Sequence, residues 1–341
     1  MKRLRILVLM HEDLVPPESM KGYSDKEIVD WKTEYDVVTT LREMGHEVKP
    51  LGLYDDLGIV RKVLKEWKPH IAFNLLEEFH GNSLFDHHIA SYMELMRLPY
   101  TGCNPRGLLL AHDKALSKKL LSFHRIRTPN FVVFPLRQKV SVPKRLQFPL
   151  FVKSLYEDGS YGISQASIVH NEQKLQERVS YLHEKLETPV LAEEYIEGRE
   201  LYLAMIGNKR CTAFPVLELV FGKMSDDAAK IATSKVKWDW DYQKKHGIDI
   251  KEAELDKQLM EKIGRLGKRI YRVLGINGYA RIDMRLSENG EVYVLEANAN
   301  PDIAYGEELS LAAEVAGLSY EQLLQKVINL GLTYRPEMRR L

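Results

Sequence analysis

The sequence predicts a mixed α/β and α+β architecture, with a small parallel-sheet layer first and two mixed lobes after it. Three observations carry that prediction. The chain has 341 residues, more than one ordinary hydrophobic core holds, so two or three packed units sharing a cleft are expected. Over residues 1–103 short apolar runs alternate with helical periodicity, the pattern of strands joined through helices. From about residue 191 the chain becomes strand-rich. Composition sets the outer limits: 45% hydrophobic and 28% charged residues exclude disordered and fibrous classes. A net charge of +1 speaks against a globally basic nucleic-acid binder.

The elements follow in order. Basic residues precede the apolar run Ile6 to Met10, but the run is short and meets His11-Glu12-Asp13 where a leader would have small residues, so it reads as a buried strand. Glu27 to Met44 reads as a helix ending at Gly45, and His70 to Asn74 as a second strand. Ser83 to Arg97 places Ile89, Met93 and Met96 on one helical face, and Leu98-Pro99-Tyr100-Thr101-Gly102 stops it. A central lobe, 104–190, opens with a helix from Asp113 to Phe123 and holds the strand Phe148 to Lys153. The C-terminal lobe, 191–341, holds strands Val190 to Tyr195, Glu200 to Ile206 and Thr212 to Val220. A polar segment, about 222–252, is long for a connection and suits a lid. A helix from Glu254 to Leu274, a hairpin from Gly278 to Ala297 and a helix from Tyr320 to Leu330 complete the chain. No stretch is long and apolar enough to span a membrane. With only Cys103 and Cys211 there is no disulfide framework, and a reducing, cytoplasmic setting is expected.

The hairpin carries the strongest chemistry. Asn289-Gly290 between two strand-like runs signals a two-residue turn. That register sets Glu288 opposite Glu291, Met284 opposite Leu295, Asp283 opposite Glu296, and Arg281 opposite Asn298. Two acids directly opposite destabilise a sheet unless something compensates. A hard divalent cation compensates well, since Mg²⁺ takes carboxylates together with substrate phosphates. The plainer alternative is a wet polar face on which Arg281 and Arg285 screen the acids.

Lys153 ends an apolar strand shortly before Glu157-Asp158-Gly159-Ser160-Tyr161-Gly162, a loop able to present backbone N–H groups to phosphate while the lysine supplies countercharge. An ordinary snorkelling lysine beside a Gly-Ser loop is the alternative. Lys114, at the start of a helix, offers a second cation. The acids of Val190 to Glu200 suit an adenine amino group and ribose hydroxyls, or plain surface charge. His80, His87 and His88 lack a cysteine partner and read as packing or surface residues.

Taken in order, these motifs resemble the ATP-grasp superfamily and specifically look like the D-alanine:D-alanine ligase family. The matching text is His80-Gly81, Glu94 to Gly102, Asp113-Lys114, Phe148 to Lys153, the Ser160 loop, Ala192-Glu193 to Glu200, Ala280 to Asp283, Leu295 to Asn298 with Pro301, and Gly317 to Leu323. The resemblance implies an ATP-grasp fold, with an α/β N-terminal domain and two lobes clasping ATP, often as a homodimer. It implies that Lys114 and Lys153 bind ATP phosphates under the Ser160 loop. Glu193 and the Ile196 backbone would meet adenine, and Glu200 the ribose. Asp283, Glu296 and Asn298 would bind two Mg²⁺ ions, replaceable by Mn²⁺. Arg281 would stabilise charge on the reacting carboxyl group, while Lys237, beside Lys230 and Lys235 in the lid, would close over the phosphates.

The chain departs from that family at the substrate positions. The Gly-Gly-x-Ser-x-Glu stretch expected after the first strand reads Met10 to Pro17, and alignment puts Gly159 and Trp238 where the family has a serine and a tyrosine. After Pro301 the family's glycine is Asp302, and its Ser-Leu pair is Glu307-Glu308. Two acids where a carboxylate docks would repel it; a displaced loop with solvated acids is the alternative. The expected function is an ATP-dependent carboxylate–amine ligase acting through an acyl phosphate on small molecules, with at least one of the two substrates something other than D-alanine. A genuine D-alanine:D-alanine ligase and a non-catalytic nucleotide-binding protein are the two rivals.

Overall fold

The computed structural model describes residues 3–138, 140, 141, 143, 144, 146–157, 159–224 and 229–336. Asp158 of the glycine loop and residues 225–228 of the lid segment lie outside the described residues. Three sheets organise the chain. The first is parallel, with β1 (Arg5–His11) between β2 (Glu47–Leu53) and β3 (Ile71–Asn74). The central residues of β1 are all buried, as a parallel strand covered on both faces requires. Ile6, Val8 and Phe73 pack with Val37 and Leu41 of the helix Asp25–Glu43 and with Val327 and Ile328 of the final helix, Tyr320–Thr333. Leu7, Leu9 and Ala72 meet Ile89 and Met93 from the other side.

The second sheet holds β4 (Phe131–Phe134), β5 (Leu150–Ser154), β6 (Ile168–Val169) and β7 (Val190–Glu194) in the order β4-β7-β5-β6. The third holds β8 (Arg199–Gly207), β9 (Cys211–Phe221), β10 (Ile248–Glu252), β11 (Gly278–Leu286) and β12 (Val292–Ala299) in the order β10-β9-β8-β11-β12. The helix Lys257–Val273 packs on this sheet, burying Ile263 and Ile270 against Leu203 and Met205. Gly278 ties the first unit to the third: a Cβ there would lie 2.3 Å from the Gly102 carbonyl oxygen, and its φ is +75°. Only glycine fits that contact.

Several expectations change. β7 pairs with β4 and β5, so the passage between sheets falls after Glu194; we propose the same three units with that boundary. Val190 to Ala192 is apolar like the start of any buried strand, and only register reveals its sheet. The segment expected as one helix from Ser83 is a 3-10 turn, Ser83–Phe85, followed by the helix Asp86–Leu95. The lid segment is far from structureless. Thr233 and Asp239 cap the helices Ser234–Trp238 and Trp240–His246 by accepting from Val236 N and Tyr242 N, and β10 pairs with β9.

The hairpin also differs. Ser287 N donates to Glu291 O at 3.0 Å, enclosing residues 288–290, and Gly290 has φ +76°. The turn is thus one residue longer than expected, and Glu288 does not face Glu291. Met284 pairs with Val294, Leu295 is skipped, and Asp283 pairs with Glu296 and Arg281 with Asn298. A bulge at Leu295 cancels the longer turn. It also turns Leu295 and Glu296 together toward the cleft between the second and third sheets, which both line. No helix among the described residues is long and apolar enough to cross a membrane.

Candidate active site

That cleft spans about 760 Å³, with the solvent at its open mouth included. Alternation along β5 sends Leu150 and Val152 into the core with Val179 and Leu182, leaving Phe151 and Lys153 on the cleft side. Phe151 pairs with Glu193 on β7, so Glu193 shares that face. Lys114 begins the helix Lys114–Phe123, capped by Asp113, whose carboxylate accepts from Leu116 N. Of the residues singled out in the sequence, Lys114, Lys153, Ser160, Glu193, Ile196, Glu200, Lys237, Asp283 and Glu296 all line the cleft. Arg281 and Asn298 stand against Asp283 without being part of the wall.

The charges form two linked groups. Lys153 Nζ lies 2.9 Å from Glu296 and 3.3 Å from Glu193, and Glu193 lies 2.7 Å from Lys118. Burial alone would lower the Lys153 ammonium's pKa, but Glu193 and Glu296 outweigh it and hold the lysine charged. Burial likewise works to raise the Glu296 carboxyl, and Lys153 and Lys114 overcome it, holding the group well below the usual range. In the second group Arg281 grips Asp283 with two bonds of 2.7 and 2.9 Å and reaches Glu308 at 2.9 Å. Asn298 donates to Asp283 at 3.0 Å. Burial would lower the guanidinium's pKa, yet the two acids keep it firmly cationic.

Arg285 does not screen the acidic pair, so that part of the plainer alternative for the hairpin does not hold. It donates to Glu200 at 2.7 Å and to the Lys230 carbonyl at 2.8 Å, while Tyr202 donates to the other Glu200 oxygen at 3.0 Å. Glu200 is thereby fixed at the cleft wall, and the segment beyond β9 is fastened to β11. Two further contacts join that segment to the glycine loop. Ser234 Oγ donates to Ser160 O at 2.5 Å, and Trp238 Nε1 donates to Gly159 O at 2.9 Å. A loop–lid bond therefore exists, made by an indole and a backbone carbonyl.

Beyond Arg281 lies an acidic wall. Asp302 accepts from Thr33 Oγ1 and Ala304 N, each at 2.8 Å. Burial, with Asp302 and Glu308 nearby, pushes Glu307 up to about 7. Burial, with Glu77 and Asp302, pushes Glu34 up to about 8. Glu308 is buried against Arg281, so the alternative of a displaced loop with solvated acids does not hold there.

Sequence reasoning missed Lys118, Glu34, and the partnership of Arg285 with Glu200. Lys118 follows Lys114 by four residues, one helical turn, and that spacing was a usable signal. Arg285 lies directly opposite Glu200 across β11 and β8, but no turn between those distant strands fixes their register in the sequence. Glu34 sits on a polar-looking helix that gives no sign of burial.

Among the described residues no group of three or more His, Cys, Asp or Glu side chains is gathered to hold a metal. His87 and His88 simply stack, with ring centroids 4.0 Å apart. Asp283, Glu296 and Asn298 nonetheless fit Mg²⁺: all three offer oxygen from one sheet face, and two carboxylates leave the remaining positions of an octahedron to phosphate and water.

Comparison with known proteins adds to this geometry. Residues 119–329 match the family described as D-ala D-ala ligase C-terminus. The chain is 31% identical over 302 residues to the protein y4sG of Sinorhizobium fredii, covering 86% of each. It is 28% identical over 326 residues to the D-alanine–D-alanine ligase of Carboxydothermus hydrogenoformans, covering 92% of this chain and 97% of the relative. The crystal structure of the D-alanine–D-alanine ligase from Bacillus anthracis complexed with ATP superposes with a TM-score of 0.74 at 24% identity, over 96% of this chain and 97% of that one. Its fold is the one described above.

Proposed function

The chain belongs to the D-alanine–D-alanine ligase family of ATP-dependent carbon–nitrogen ligases, and from that premise we propose that it joins a carboxylate to an amine through an acyl phosphate, with at least one substrate other than D-alanine. The observation that carries this reading is the meeting, in one cleft, of Lys114 and Lys153 with Asp283 and Glu296. Arg281 stands directly behind them. A carboxylate oxygen attacks the γ-phosphorus of ATP and ADP leaves; the amine then attacks the acyl carbon, phosphate departs, and the amine loses its proton. The first step needs positioning and charge neutralisation, which the two lysines supply under the Ser160 loop, with Lys237 closing from the lid. Glu193 and the Ile196 backbone receive adenine, and Glu200 the ribose. Asp283, Glu296 and Asn298 hold Mg²⁺, which neutralises phosphate charge when bound. Arg281 stabilises the oxygen that becomes negative as the amine adds.

The substrate departs from D-alanine for two reasons. Gly159 offers no side-chain hydroxyl, and the Trp238 indole is already spent on the Gly159 carbonyl, so neither supports a substrate amino group as a serine and tyrosine would. Asp302 and Glu307 keep the wall beyond Arg281 acidic, and Glu34, largely protonated at neutral pH, adds no charge; such a wall offers no cation to a second carboxylate and suits an acceptor that is basic or carboxylate-free. By the same family reasoning we place the protein in the cytoplasm as a homodimer. The test is a screen of acids and amines with ATP and Mg²⁺, followed by ADP release and product mass. Amide formation with a basic amine supports the reading; ADP release with no condensation product from any pair overturns it.

A further inference from the structure

Lys118 lies outside every role assigned so far. It sits one turn after Lys114 on the same helix, is 1% exposed, and does not line the cleft. Its ammonium touches Glu193 Oε2 at 2.7 Å. The contact lacks the alignment of a hydrogen bond: both Lys118 Nζ and Glu193 Oε2 are buried without a hydrogen-bond partner. Glu193 Oε1 leans instead toward Lys153 at 3.3 Å. Glu193 is thus held from behind through one oxygen, with unused lone pairs on a carboxylate that forms part of the cleft wall.

We propose that Lys118 is a positioning residue for base selection: it pins Glu193 as an oriented acceptor for the exocyclic amino group of a 6-aminopurine and keeps it from closing on Lys153. Without Lys118 the carboxylate has one remaining cation within reach. Turning both oxygens to Lys153 satisfies a buried charge that is otherwise left with a single partner. That rotation removes the acceptor from the base and diverts Lys153 from the phosphates. A 6-oxopurine presents an acceptor where adenine presents a donor, so the oriented carboxylate rejects it and the rotated one no longer distinguishes the two. The inference rests on the proposed placement of adenine against Glu193, and the experiment separates the two claims.

Dissociation constants for ADP and IDP, which differ at purine position 6 and in the proton on the adjoining N1, are measured with Mg²⁺ on the full chain. The proteins compared are wild type, Lys118→Met, Lys118→Arg and Glu193→Gln, each checked for folding by circular dichroism, with Lys118→Gln replacing the methionine variant if that one does not fold. Wild type is expected to prefer ADP by about tenfold or more, the scale of one hydrogen bond to a charged group. The methionine or glutamine variant should fall to within about threefold of no preference, and arginine should restore most of it. An unchanged ADP preference in the Lys118 variants beside a reduced one in Glu193→Gln overturns the role of Lys118. An unchanged preference in Glu193→Gln, or none in wild type, overturns the adenine placement and the inference with it.

Discussion

At the scale of single residues, the site is built from charges that burial alone would suppress and that survive by mutual support. Glu296 and Asp283 show the consequence. Relieving a like-charge pair would leave stability untouched if nothing else faced the acids, but each has its own cation, Lys153 or Arg281. Glu296→Gln or Asp283→Asn should therefore abolish turnover and also lower stability by about 1–3 kcal/mol, the cost of leaving a buried charge underpaired. Chemical denaturation of the purified variants checks the second part, and wild-type-like turnover in either would remove both residues from the site. Glu34 predicts the opposite sign. Its carboxyl is pushed from 4.5 to about 8 by burial and by Glu77 and Asp302. Between those values the folded chain holds a proton that the unfolded chain has lost, so stability falls as pH rises and the penalty is complete above about 8. Glu34→Gln should match wild type in melting temperature near pH 4 and exceed it at pH 8.5; equal curves at both values would contradict the burial of this acid. The pairing of Asp283 with Glu296 was legible in the sequence, whereas the burial of Glu34 was not, because an acid on a polar-looking helix does not announce that it faces inward.

At the scale of elements, the hairpin was readable and its details were not. The pairing of Asp283 with Glu296 follows from the sequence only because a longer turn and a bulge at Leu295 offset one another. Asn-Gly marks the turn whether its loop holds two residues or three, so the bulge had no local signature. The lysine at the end of β5 and the acid on β7 were found as motifs, but their adjacency depends on an antiparallel pairing joined through a helix, Glu172–Leu186. The segment expected to act as a lid was singled out by length and polarity, while its helix caps, Thr233 and Asp239, passed unremarked. Its contact with the glycine loop through Trp238 is surface-facing, with Trp238 49% exposed, whereas Thr233 and Val236 are buried. Hydrogen exchange in Ser234 to His246 should slow severalfold when ATP and Mg²⁺ are added, and Trp238→Phe should weaken that protection. Equal exchange with and without nucleotide would argue against closure.

At the scale of the whole molecule, three sheets and a returning C-terminal helix bring one end of the first sheet against the cleft between the other two. The order of units was visible from the alternation of apolar runs. The return of Tyr320–Thr333 to β3 and to the helix Asp25–Glu43 was not, because a terminal amphipathic helix packs equally well on any sheet. That return matters for chemistry, since Thr33 from the first unit bonds Asp302 beside the reacting centre. We propose that this ligase uses the family's chemistry on substrates other than a pair of D-alanines. The most direct test incubates purified protein with ATP, Mg²⁺ and D-alanine as the only amino acid, and follows ADP release and product mass together. Neither sustained ADP release nor dipeptide is expected, because the missing hydrogen bonds at Gly159 and Trp238 forfeit about 10⁴–10⁵ in selectivity and the acidic wall offers no cation to the second carboxylate. Robust ADP release with stoichiometric D-alanyl-D-alanine would contradict it.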